Sequence, residues 1–226
     1  MKLGRLMGFL VIAMFLVPLA KADGPVSMVF VGVNGANNGQ YYVSPYYGTM
    51  NGQQVVLFCD DIKNEVTFGE TWSANVTNLG TAVSTNNFSQ TRYGGVSTSA
   101  IYTNNTLAYY NNPAMAYEEA AYLVTQFASH PNDLVNLQYA LWDIMNPGNP
   151  AYMNSDVQNW LTMAGTDYNQ INPYNFEIVT NTGTLALTGQ VQEFIVQTPE
   201  PGTLVLLVCG ALLLSMCFYN RRQLIA

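Results

Sequence analysis

Cys59 is the cysteine of this chain whose position suggests chemistry. Two further cysteines, Cys209 and Cys217, lie in an apolar segment near the C-terminus. Cys59 shares one face of a predicted strand with Leu57, so both side chains are expected to point into the core. As the one cysteine between the two ends of the chain, it has no partner for an internal disulfide. It is therefore either a small buried hydrophobe or a reactive group.

The candidate partner of this thiol is Gln138, in the middle of a predicted helix. Leu134, Leu141 and Met145 recur at helical spacing around it, so the amide shares their apolar face. Burying an amide without a hydrogen-bond partner costs about 1–3 kcal/mol. We therefore expect Gln138 to meet either the Cys59 thiol or the backbone at a strand end.

An internal thioester is the bond that these two groups can form. The Cys59 thiolate attacks the carboxamide carbon of Gln138 and expels ammonia. Because a thioester is an activated acyl group, an incoming amine or hydroxyl can take the acyl group and free the thiol. The protein then becomes attached to its target covalently, and only once. Gln126 is a weaker alternative acyl donor.

Conventional active sites lack parts in this sequence. The single histidine, His130, precedes a proline in a predicted loop, and one histidine is too few for most zinc sites. Asp60, Asp61 and Asp143 do not have the spacing of a calcium-binding loop. We expect no metal, no cofactor and no conventional enzymatic activity.

The periodicity of the sequence changes twice along the chain, from strand-like to helical and back. Asn51-Gly52 predicts a two-residue hairpin turn, and Asn112-Pro113 predicts a capped helix start. The predicted strands are 26–33, 40–43, 46–50, 53–59, 71–79, 175–180, 184–187 and 192–196; the predicted helices begin at 113, at 132 or 133, and at 152, and residues 80–105 are expected to be loop-rich. This order predicts an α+β fold, mainly an antiparallel β-sandwich or barrel, with a small helical subdomain at about 112–165.

The N-terminus has the features of a signal peptide. Lys2 and Arg5 precede an apolar run at 6–19, and Ala20-Lys21-Ala22 fits the site cut by signal peptidase. Residues 1–22 are therefore expected to be removed, and the body, residues 23–198, is expected to be extracytoplasmic.

The C-terminus carries a second apolar run, residues 202–219, which is long enough for one membrane-spanning helix. Arg221 and Arg222 follow it and are expected to stay in the cytoplasm. Pro199-Glu200-Pro201, the apolar run and the two arginines together resemble a PEP-CTERM sorting signal over residues 199–226. The resemblance implies a Gram-negative cell envelope, recognition by an exosortase, and a membrane anchor that is held at least transiently.

The body is poor in positive charge. The whole chain has 7 Lys and Arg against 14 Asp and Glu, and within residues 23–198 the basic residues are Lys63 and Arg92. Nucleic-acid binding requires cations that neutralise phosphates, so we exclude it.

Two short segments carry a second resemblance. Phe58-Cys59-Asp60 and Gln138-Tyr139-Ala140-Leu141-Trp142 resemble the paired motifs of the thioester domains on bacterial surface adhesins. The resemblance implies a thioester between Cys59 and Gln138 in a site shaped by Asp60, Asp61 and Trp142, with a surface nucleophile as partner. The alternative is a noncatalytic structural or polysaccharide-binding protein of the exopolysaccharide matrix.

Overall fold

Six antiparallel strands of the computed structural model close into a barrel in the order β1-β2-β3-β6-β5-β4. The structure describes residues 25–95, 112–147, 153–183 and 190–198, with positions 210 and 212 in addition. The strands are β1 (Val26–Val33), β2 (Tyr46–Met50), β3 (Gln53–Cys59), β4 (Thr71–Asn78), β5 (Phe176–Asn181) and β6 (Phe194–Gln197). The α+β class with antiparallel strands is confirmed, and the strands form one closed barrel rather than a sandwich.

Helices occupy the chain between β4 and β5. They are α1 (Leu79–Thr85), α2 (Arg92–Gly95), α3 (Pro113–Gln126), α4 (Leu134–Met145) and α5 (Ser155–Asp167), followed by short 3-10 turns at Tyr168–Gln170 and Pro173–Asn175. The predicted start of α3 is confirmed, because the side chain of Asn112 accepts a hydrogen bond from the backbone N–H of Met115 and Pro113 takes the first helical turn. Asn154 caps α5 in the same way.

The β2–β3 hairpin confirms the predicted turn at Asn51-Gly52. Both residues have positive φ, 51° and 79°, which Asn and Gly tolerate and a two-residue hairpin requires. The pairing that follows sets Tyr46 opposite Leu57. The hairpin therefore fixes the register that brings Cys59 to the end of β3.

The core has two parts. Inside the barrel, Phe194 of β6 packs against Trp72 of β4 and Tyr46 of β2, with ring centroids 6.1 and 6.2 Å apart. Neither of those strands is paired with β6, so the contacts cross the interior. Outside it, Phe58 meets Phe127 at the end of α3 with centroids 5.1 Å apart. The helices therefore cover one outer face of the barrel.

Four local predictions are wrong. Residues 40–43 do not form a strand, because only an isolated bridge joins Asn37 to Tyr42. Leu79 begins α1 instead of ending β4, and α1 and α2 lie in the segment predicted to be loop-rich. α5 starts three residues later than predicted, at Ser155. The predicted strand 184–187 lies outside the described residues.

The two ends predicted to direct export, residues 1–22 and 199–226, lie outside the described residues except for Gly210 and Leu212. Within the described ranges, no helix combines the length and the apolar character needed to cross a bilayer.

Candidate functional site

The structure brings Cys59 and Gln138 together, at the end of the barrel that faces α4. Cys59 is the last residue of β3 and pairs with Phe194 of β6. Gln138 lies in the second turn of α4. Both side chains are fully buried, at 0% exposure. The predicted inward orientation of each is confirmed.

The carboxamide of Gln138 is held at both of its polar atoms. Its Nε2 donates a hydrogen bond to the backbone oxygen of Cys59 at 2.6 Å. Its Oε1 accepts a hydrogen bond from the backbone N–H of Ser44 at 2.9 Å. The amide is therefore satisfied, as its burial requires, and it is fixed against the residue that carries the thiol.

Ser44 connects the two reactive residues. Besides its N–H on Gln138, its Oγ accepts a hydrogen bond from the backbone N–H of Cys59 at 2.8 Å, and the residue is fully buried. A backbone N–H aimed at a carbonyl oxygen is the kind of donor that stabilises the oxyanion of an acyl-transfer intermediate. Sequence reasoning missed Ser44, because no motif marks it and its position depends on the loop at 34–45.

The thiol of Cys59 has two hydrogen-bond partners. The indole N–H of Trp142 donates to Sγ at 3.4 Å, and the thiol donates to the backbone oxygen of Asp61 at 3.3 Å. Burial raises the pKa of this thiol well above its usual value, and the negative charge of Asp61 raises it further, while the Trp142 hydrogen bond opposes both. The sulfur is therefore a neutral thiol at physiological pH, and its attack on an amide requires a proton acceptor.

Aromatic side chains cover the thiol. The Trp142 ring packs against Tyr41 and Tyr139, each with its centroid 6.0 Å away. The side chain of Asn38 donates a hydrogen bond to the Tyr139 hydroxyl, which ties the loop at 34–45 to α4. Because Cys59 is fully buried beneath this layer, a nucleophile reaches it only if the loop or the rings move.

Asp61 forms a buried ion pair beside the site. One of its oxygens lies 2.9 Å from Nε of Arg92, and both residues are at most 1% exposed. The same carboxylate accepts hydrogen bonds from the Tyr93 hydroxyl and the Asn64 amide. Arg92 also donates to the backbone oxygen of Val191 at 2.6 Å. The pair joins the end of β3 to α2 and to the chain before β6.

Asp61, Glu193 and Asp60 form a cluster of three buried carboxyl groups. Both oxygens of Glu193 have hydrogen-bond donors, as those of Asp61 do. Glu193 accepts hydrogen bonds from the Tyr117 hydroxyl at 2.6 Å, from the backbone N–H of Arg92 at 2.7 Å and from the Thr180 hydroxyl. Burial raises its pKa, and these donors oppose the rise. Sequence reasoning missed Arg92 and Glu193 as parts of the site, because their partners lie far away along the chain.

Asp60 is the third carboxyl group, and it is different. It is fully buried, and neither carboxyl oxygen has a hydrogen-bond partner from another residue in the described part of the chain. Burial raises its pKa well above the usual carboxyl range, and the neighbouring charges of Glu193 and Asp61 raise it further, against the smaller effect of Arg92. Burial and these neighbouring charges therefore favour the protonated, neutral form of Asp60.

Two other candidates lie elsewhere. The imidazole of His130 packs on Trp160, with ring centroids 4.9 Å apart, and is bonded to the backbone oxygen of Gln126. The amide of Gln126 donates instead to the Thr125 hydroxyl. Over the described ranges, no group of three or more His, Cys, Asp or Glu has the geometry of a metal site.

Ser44→Ala is expected to destabilise the fold and loosen the site. The change leaves the buried backbone N–H of Cys59 without its acceptor, which costs about 1–3 kcal/mol. Urea unfolding followed by tryptophan fluorescence measures this loss. Ser84→Ala, at an exposed position of α1, is the matched control and is expected to change stability by less than about 0.5 kcal/mol. Equal stability of both variants would contradict the role given to the Ser44 hydroxyl.

Comparison with protein-family models, with curated proteins and with solved structures finds no match for this chain.

Proposed function

We propose that this chain is an exported surface protein whose body forms an internal thioester between Cys59 and Gln138 and uses it once to attach itself covalently to a target. The observation that carries this proposal is the fixed carboxamide of Gln138. It is bonded through Nε2 to the backbone of Cys59 and through Oε1 to the N–H of Ser44. Both bonds are to backbone groups at the end of β3 and in the loop at 34–45, and they hold the carboxamide against the residue that carries the sulfur.

The chemistry follows from these contacts. The sulfur of Cys59 attacks Cδ of Gln138, and the carbonyl oxygen gains negative charge where the Ser44 N–H already points. Collapse of the intermediate breaks the bond from Cδ to Nε2 and releases ammonia. An amine or hydroxyl of the target later displaces the sulfur, and the thiol returns.

The burial of the site supports a long-lived thioester. Water is excluded from Cys59 and Gln138, both at 0% exposure, so hydrolysis is slow while the aromatic layer is closed. Contact with a target that displaces Trp142 or the loop at 34–45 then exposes the acyl group. The product is a covalent link, which resists forces that dissociate an ordinary complex.

Methylamine is the probe for this activity. The purified chain is expected to gain one methylamine on Gln138 and to release one thiol on Cys59, both visible by intact mass and thiol alkylation. A double variant, Cys209→Ala with Cys217→Ala, keeps Cys59 as its one cysteine and is expected to react like the wild type. Absence of the adduct in denaturant and in buffer alike would contradict the proposal.

The sorting signal is the second part of the proposal. Signal peptidase acts at Ala22, and an exosortase acts near Pro199-Glu200-Pro201, so that the body reaches the periplasm or cell surface of a Gram-negative cell. Support comes from the order of the apolar run and the arginines Arg221 and Arg222.

Glu200→Ala is expected to block C-terminal processing, because the acidic residue between two prolines is the distinctive part of the signal. Mass analysis of the protein recovered from membranes and from the cell surface, in a host with an exosortase, measures this. Glu177→Ala, in β5, is the control. If Glu200→Ala is processed like the wild type, the C-terminus is an ordinary tail anchor.

A noncatalytic polysaccharide-binding role is the second candidate. One observation favours it, an open cleft of about 320 Å³ whose lining carries no charged side chain: Tyr122, Thr125, Gln126, Gln170, Ile171, Asn172, Asn175, Phe176 and Gln197. Neutral amides suit the hydroxyls of a sugar. Polysaccharide binding that survives in a Cys59→Ala variant supports this role.

A further inference from the structure

Asp60 is a buried acid with no structural partner. It follows Cys59 directly and is 0% exposed, and neither of its oxygens has a partner from another described residue. Buried carboxyl groups are normally paired or hydrogen-bonded, as Asp61 and Glu193 are. An unpaired buried acid weakens a fold, so its presence beside a reactive pair points to a role in the reaction.

The surrounding charges decide its protonation state. Asp61 and Glu193 face it from the chain after β3 and before β6, and the one cation of the cluster, Arg92, is engaged with Asp61. The charge of Asp60 contributes to the raised pKa of Tyr93 and of Tyr117, and each of these hydroxyls is bonded to another carboxylate, Asp61 and Glu193 respectively. A third negative charge would be uncompensated, so Asp60 is a neutral acid.

The thioester reaction needs such a group. The thiol of Cys59 has to lose its proton as sulfur attacks, and the nitrogen of Gln138 has to gain one in order to leave as ammonia. Asp61 and Glu193 are already engaged, and His130 packs on Trp160 instead. Asp60 follows the thiol-bearing residue directly in the chain, and its oxygens have no partner from another described residue.

We propose that Asp60 carries the proton of the thioester reaction between Cys59 and Gln138, an inference that rests on the proposed function. As the sulfur of Cys59 bonds to Cδ of Gln138, one oxygen of Asp60 takes the thiol proton while the other gives its own proton to Nε2. The bond from Cδ to nitrogen then breaks, and ammonia leaves. One thiol and one carboxamide become one thioester and one ammonia, and Asp60 ends as the acid it was.

Release of the thioester uses the same group in reverse. An attacking amine loses a proton when it forms an amide with the Gln138 carbonyl, and the departing sulfur gains one. Asp60 supplies the proton to sulfur and recovers one from the amine, so a single acid serves formation and transfer.

The test is the Asp60→Asn variant of the full chain. Asparagine has the same shape and no charge, so the variant is expected to fold with stability equal to or above that of the wild type. Its rate of ammonia loss, followed by intact mass as chain recovered unfolded and unreacted is first allowed to fold, is expected to fall roughly 100-fold, the usual effect of losing a general acid. Asp156→Asn, at an exposed position of α5, is the matched control and is expected to react at the wild-type rate.

The pH dependence of the wild type provides a readout that does not depend on any variant. Because the acid form of Asp60 is the active one, the rate of ammonia loss is expected to fall as pH rises through its raised pKa. In Asp60→Asn this falling limb is expected to be absent, and Asp60→Glu is expected to restore part of the rate.

The outcomes separate the two proposals. A wild type that never loses ammonia overturns the thioester itself. The role of Asp60 alone is overturned if the wild type reacts and a folded Asp60→Asn variant reacts equally fast. It is also overturned if the wild-type rate does not fall as pH rises.

Discussion

The Cys59→Ala variant is expected to take up no methylamine and to keep the mass that its sequence dictates. The sulfur of Cys59 is the nucleophile of the proposed reaction, so its removal is expected to abolish the adduct. Intact mass after incubation with methylamine measures the effect, and the expected loss is complete rather than partial.

The variant is also expected to stay folded, which makes the result interpretable. Alanine leaves the indole N–H of Trp142 without its sulfur acceptor, at a cost of about 1–3 kcal/mol. That is less than the stability of a typical domain, about 5–15 kcal/mol. Thermal unfolding confirms the fold, and a methylamine adduct that persists in folded Cys59→Ala would contradict the account.

Arg92→Met is expected to have the largest effect on stability. The change leaves Asp61 as a buried charge without its cation, which costs about 3–5 kcal/mol. It also removes the hydrogen bond to the backbone of Val191. Urea unfolding measures the change in the free energy of unfolding.

Two further variants define the cause of that loss. Lys63→Met removes the exposed cation of the body and is expected to change stability by less than about 0.5 kcal/mol. Adding Asp61→Asn to Arg92→Met removes the stranded charge and is expected to restore part of the loss. If Arg92→Met is as stable as Lys63→Met, the ion pair does not hold β3 to α2.

The inward directions of the Cys59 and Gln138 side chains were predictable from the sequence because they depend on short-range patterns. The alternation of β3 sets the direction of Cys59 from that of Leu57, and the helical spacing of Leu134 and Leu141 sets that of Gln138. The turn at Asn51-Gly52 needs only two residues with positive φ. Each of these signals lies within a few residues of the feature that it predicts.

The rest of the site depends on contacts that no local pattern encodes. Ser44 lies 94 residues from Gln138 in the chain, and Arg92 lies 101 residues from Glu193. Residues 40–43 have strand-like composition, yet the loop that contains them packs on α4 through Asn38 instead of pairing in the barrel. Tertiary contacts outweigh intrinsic strand propensity there.

The mass of the untreated body tests the central claim most directly. After removal of the signal peptide, the chain is expected to be lighter by one ammonia than its sequence, with Cys59 resistant to alkylation in mild denaturant. A mass equal to the plain sequence, together with free alkylation of Cys59 after denaturation, would contradict it.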